Sequence, residues 1–67
     1  MKNIEEIRKI KGVALVDIAD LLGVDSRTVR SKIDGVSDFK FGETIAIKEA
    51  FFPEYELEYL FSERAEA

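Results

Sequence analysis

The chain predicts an all-α domain of five short helices. Three observations carry that reading. Apolar residues recur at helical spacing in successive short blocks. Glycines at positions 12, 23 and 35 follow the first three blocks, where a left-handed residue would end a helix. Neither an alternating strand pattern nor an internal repeat interrupts the blocks.

The first helix is capped by Asn3 and stopped by Gly12, with Ile4 and Ile7, extended by Ile10, as its apolar stripe and Glu5, Glu6, Lys9 and Lys11 outside. The second runs from about Leu15 to Leu22, with Ile18, Ala19 and Leu22 on its inner face and Gly23 as its stop. Asp25 caps the third, Ser26 to Asp34, and Val24 staples against Val29. Val29 and Ile33 face inward, Ser26, Arg27, Arg30, Ser31 and Asp34 face out, and Gly35 terminates the helix. A connecting loop, Val36 to Lys40, leads to a fourth helix from about Gly42 to Phe52, with Ile45, Ile47, Ala50 and Phe51 available to the core and Pro53 as its end. Leu57 to Phe61 forms the fifth. Residues 1–61 make one domain, and 62–67 are expected to fray as a polar tail.

A chain of 67 residues must place most of its apolar side chains in one core, and a hydrophobic content of 46% suffices for that. Without cysteine or histidine it has no disulfide, no thiolate metal site and no imidazole base. No catalytic constellation, phosphate-cradling glycine loop or metal spacing occurs, so no enzymatic activity, metal or cofactor is expected. The apolar runs are too short to span a membrane and the start is not a signal peptide, so a cytoplasmic protein is expected.

The net charge of −4 speaks against nucleic acid until its distribution is considered. Residues 1–35 hold seven Lys/Arg against six Asp/Glu (+1), and residues 36–67 hold three against eight (−5). Arg27, Arg30 and Lys32 cluster on the third helix, and exposed charges farther away than about 8 Å are screened at physiological salt. A short helix with a polar, cationic outer face beside a tight helix pair suits a DNA major groove. The plainer alternative is an ordinary solvated helix face.

With its elements in this order the chain resembles the Cro/CI-type (XRE-type) helix-turn-helix repressors of phages and bacteria. The resemblance rests on Ile4, Ile7, Arg8 and Gly12; on Ile18, Ala19, Leu22, Gly23 and Val24; on Thr28, Val29, Ile33 and Gly35; and on Ser37-Asp38-Phe39, Glu43, Ile47 and Leu57–Phe61. It implies a compact lambda-repressor-like fold whose second and third helices form the helix-turn-helix. It also implies a homodimer that reads an inverted repeat in double-stranded DNA. Carried over residue by residue, Ser26, Arg27, Arg30 and Ser31 would contact bases. Thr28, Lys32, Ser37 and Lys40 would contact phosphates.

The chain also departs from that pattern. Ala14-Leu15 replaces the usual Thr-Gln, removing a cap and a DNA contact. Lys40-Phe41-Gly42-Glu43 replaces a Thr-x-Ser-Glu capping box. Ile33 takes the place of a glutamate that would pair with Arg8, leaving Asp34 as the nearest substitute partner. Leu15, Val16 and Leu21 are apolar where the family is polar. They either enlarge the core or form an exposed patch for a protein partner. The second opens an alternative function: a protein-interaction module of antirepressor or antitoxin type, acting through that patch or through the C-terminal aromatics.

Overall fold

A computed structural model describes residues 2–63. The helices are α1 (Asn3–Lys11), α2 (Leu15–Leu22), α3 (Ser26–Asp34), α4 (Phe41–Phe51) and α5 (Leu57–Phe61). The described residues contain no strand, only an isolated bridge between Lys2 and Glu63.

The ends of α2 and α3 follow from local chemistry. At the C-terminus of α2, Gly23 adopts φ 73° and the next amide, Val24 N–H, donates to Ala19 O at 3.0 Å. That six-to-one bond needs a left-handed residue in between. Val24 then packs against the core cluster that contains Ala19 and Val29, closing the turn with an apolar contact. Asp25 caps α3 by accepting from Thr28 N–H at 2.8 Å and from the Thr28 hydroxyl at 3.0 Å.

The starts of α1 and α4 differ from the sequence expectation, whereas α2 begins at Leu15 without a side-chain cap, as expected. Lys2, not Asn3, caps α1; Asn3 lies within the helix and its side-chain amide donates to Tyr59 O at 2.8 Å. At α2 and α4 half of a capping box survives. Asp17 accepts from Ala14 N–H at 2.9 Å and Glu43 from Lys40 N–H at 2.8 Å. Alanine and lysine carry no side-chain acceptor for the reciprocal bond. The half-box at Lys40 starts α4 one residue earlier than expected, and Phe52 follows the helix as its C-cap.

Helix α2 packs on both α3 and α4, while α5 packs on α1 and α4. Ile4, Ile18, Ile33, Ile47, Phe52 and Leu60 meet in the centre, each 0% exposed. Burying such side chains stabilises the fold by roughly 1.5–3 kcal/mol apiece. Two residues expected in the core are outside it. Ile10 is 73% exposed because each three-residue step rotates the α1 stripe by about 60° and carries it past the core. Ala50 is also exposed. Glu5, expected outside, is buried.

Among the C-terminal aromatics, Phe51, Tyr55 and Phe61 pack against the core cluster that contains Phe52, and Phe61 meets Phe39 edge-on at 5.0 Å. Tyr59 remains half-exposed. Ser62 and Glu63, the start of the expected tail, lie beside α1: Ser62 O accepts from Asn3 N–H at 3.0 Å and Glu63 bridges to Lys2. The rest of that tail lies outside the described residues. Among the described residues no helix is long and apolar enough to cross a membrane.

Candidate nucleic-acid interface

Val29 and Ile33 lock the inner side of α3 into the core, both 0% exposed. At about 100° per residue, the opposite side belongs to Arg27 and Ser31, one turn apart, with Thr28 and Asp34 flanking them. Arg27 is exposed. No hydrogen bond or ion pair among the described residues holds its side chain. Ser31 is half-buried, because its carbonyl accepts from Val36 N–H at 2.9 Å and Ser37 N–H at 3.2 Å as the chain leaves the helix. Ser26 is half-buried at the first turn. Thr28 is half-buried and its hydroxyl is committed to Asp25, which, with the Thr28 amide, holds the Asp25 carboxyl below its ordinary value.

The other two cations of α3 sit on its edges. Arg30 turns toward α1. Its Nη2 donates to Glu5 Oε2 and its Nη1 to Asp34 Oδ1, both at 3.2 Å, and its side chain is 34% exposed. Glu5 is itself held by a two-bond pair from Arg8, 2.9 and 3.1 Å, and by Lys9 at 3.3 Å. Burial pushes the Glu5 carboxyl up, and the bonds from Arg8 and Arg30 more than offset this, so it lies below its ordinary value. Arg30 experiences the mirror effect: burial acts against its charge, but Glu5 and Asp34 raise its pKa overall. Asp34 is therefore not the partner of Arg8; Glu5 is, with Val13 O as a second acceptor at 3.2 Å.

Lys32 turns toward α4 and is drawn in rather than presented. It donates to Asp38 O at 2.9 Å, pairs with Glu43 at 3.3 Å and lies 6.0 Å from the Phe39 ring centre, leaving its side chain 11% exposed. The Lys40 amide, aided by Lys32 and opposed by burial, holds the Glu43 carboxyl below its ordinary value. Ser37 and Lys40, in the segment between α3 and α4, are exposed.

The structure thus brings Arg27 and Ser31 to one outward face, sets Thr28 and Arg30 at its margins, leaves Ser26 half-buried in the first turn nearer the inner side, and removes Lys32 to the α4 edge. The sequence reading missed Glu5 and Glu43 as organisers of this helix. Half of the Glu5 signal was local, in Arg8 and Lys9 at i+3 and i+4. Its link to Arg30, 25 positions along, was not.

Of the three apolar residues in doubt, Leu15 packs against the core, whereas Val16 and Leu21 are 51% and 41% exposed. No group of residues suited to hold a metal ion occurs among the described residues. Comparison with protein-family models, curated proteins and solved structures gives no match.

Proposed function

We propose that this chain is a sequence-specific DNA-binding regulator of Cro/CI type, a lambda-repressor-like domain in which α2, the Gly23–Asp25 turn and α3 act as a helix-turn-helix. The observation that carries this reading is Arg27: an exposed guanidinium, held by no hydrogen bond or ion pair among the described residues, on the outward face of a helix whose opposite face is fixed in the core. An α-helix with its side chains is about 10–12 Å across, a fit for the roughly 12 Å wide major groove. Arg27 would donate to guanine O6 and N7, with Ser31 and Ser26 reading neighbouring base edges and Arg30 at the margin. Thr28, Ser37 and Lys40 would position the domain on phosphates. Lys32 is a poorer phosphate ligand than expected, because it would first have to leave Glu43. A cytoplasmic homodimer would place two α3 helices about 34 Å apart on an inverted repeat.

The test is selection of random duplexes by the purified protein, followed by fluorescence anisotropy at two salt concentrations. An enriched palindrome whose binding weakens in Arg27→Ala, and weakens again as salt rises, supports the proposal. Sequence-blind micromolar binding alone overturns it.

A second reading is favoured by one specific observation, the exposure of Val16 and Leu21 on α2. It makes the domain a protein-interaction module of antirepressor or antitoxin type. Val16→Glu with Leu21→Glu abolishes function under that reading, and Arg27→Ala leaves it intact. Leu15, packed against the core, is unsuitable for that test.

A further inference from the structure

Two arginines stand three residues apart on α3, and only one is open. The end nitrogens of Arg30 are divided between two carboxylates, Asp34 on its own helix and Glu5 on α1. Glu5 is immobilised by burial and by Arg8 and Lys9. Asp34 is a surface residue with a side chain 37% exposed, and its bonded partner is Arg30. For Arg30 to donate two hydrogen bonds to a guanine, or to neutralise a phosphate, it must give up its bonds to Asp34 and Glu5.

We infer that Asp34, backed by Glu5, is a specificity-determining residue that masks Arg30 and so suppresses sequence-blind binding to DNA. This rests on the DNA-binding reading above. Non-specific affinity comes from cations that displace counterions from phosphates, each contributing a slope of about −0.9 in log K against log salt. A masked Arg30 withholds that contribution on arbitrary sequence. It releases it only where the duplex offers a better acceptor set than Asp34 does. The acidic residue beside the recognition face then acts as a filter, and affinity is spent on the cognate site alone.

The experiment is a double-mutant cycle of Asp34→Asn and Arg30→Gln on the whole chain. Anisotropy is measured on a random-sequence duplex and on the selected palindrome over a salt series. Circular dichroism checks that each variant folds; Asp34 is exposed, and in Arg30→Gln the buried Glu5 keeps Arg8 and Lys9 as partners, so folding should hold. Asp34→Asn alone is expected to tighten random-duplex binding by about three- to tenfold at low salt and to steepen the salt slope by about one phosphate. The ratio of palindrome to random affinity should fall. In the Arg30→Gln background the same substitution should change random-duplex binding by less than twofold, because no masked charge remains. An equal gain in both backgrounds means that Asp34 merely repels phosphates, and overturns the inference while leaving DNA binding intact. No gain in either background overturns it as well. Failure of the unsubstituted protein to bind either duplex overturns both this inference and the reading on which it rests.

Discussion

The two edges of α3 solve the same problem in different ways. On each edge a cation of α3 meets a glutamate of a neighbouring helix: Arg30 meets Glu5 of α1, and Lys32 meets Glu43 of α4. On the α1 edge the glutamate is the buried member, 4% exposed, and three cations surround it. On the α4 edge the lysine is the more enclosed member, and the glutamate also serves the N-terminus of α4 through Lys40 N–H. The comparison separates two roles for an ion pair. A buried carboxylate must be neutralised for the fold to form, so its partners are structural even when one of them borders the outward face of α3. A peripheral carboxylate that caps a helix is worth about as much as a cap.

The sharpest way to break this contrast is to remove Arg8. Arg8→Ala leaves Glu5 buried with its best partner gone, and chemical denaturation should show a loss of roughly 3 kcal/mol. For a domain of this size Tm falls by about 4–8 °C per kcal/mol. Replacing both members, Glu5→Leu with Arg8→Met, should restore much of that loss. A single and a double substitution of equal cost would show that Glu5 needs no neutralising partner.

On the other edge Glu43→Ala should cost about 1 kcal/mol, the value of a cap. A loss as large as that of Arg8→Ala would erase the distinction between the edges.

Acid sharpens it further. Glu5 and Glu43 both lie below the ordinary glutamate value of 4.5. A depressed carboxyl contributes stability that is present above its unfolded pKa and lost as pH falls through its folded pKa. Stability should therefore hold near neutrality and decline from about pH 4.5 downward. Glu5→Gln should flatten that decline in a pH series of denaturant midpoints. A slope unchanged by this substitution would remove Glu5 from the acid response.

The smallest effect belongs to Lys40→Ala. Lys40 is exposed, and its main contribution to Glu43 is through its backbone amide, which alanine retains, with its side-chain charge the smaller part. Its stability should stay within about 0.5 kcal/mol of the unsubstituted protein. Its DNA affinity, if it touches a phosphate, should fall on all sequences alike.

The boundaries of α2 and α3 were legible residue by residue, since their determinants are local: an Asp25 side chain reaching an amide three residues on, and glycines at φ 73° and 86° where the helices stop. The inward side of α3 was legible for the same reason, because Val29 and Ile33 share a face in any helix. Local periodicity could not say which neighbour lies beside a given face. It therefore left Leu15 and Val16 equivalent, although α2 buries one against the core and turns the other to solvent. It placed Glu5 among the outer charges, which the packing of the helices reverses, whereas the exposure of Ile10 follows from the turn of about 60° at each three-residue step within α1 itself. It treated Arg27, Arg30 and Lys32 as one basic cluster. Only the approach of α1 and α4 divides that cluster into one open arginine, one masked arginine and one enclosed lysine. Helix starts and stops are set by bonds within a few residues, which a sequence carries in full. Charge partners and exposure are set by surfaces brought together across dozens of residues, which only the packed chain supplies.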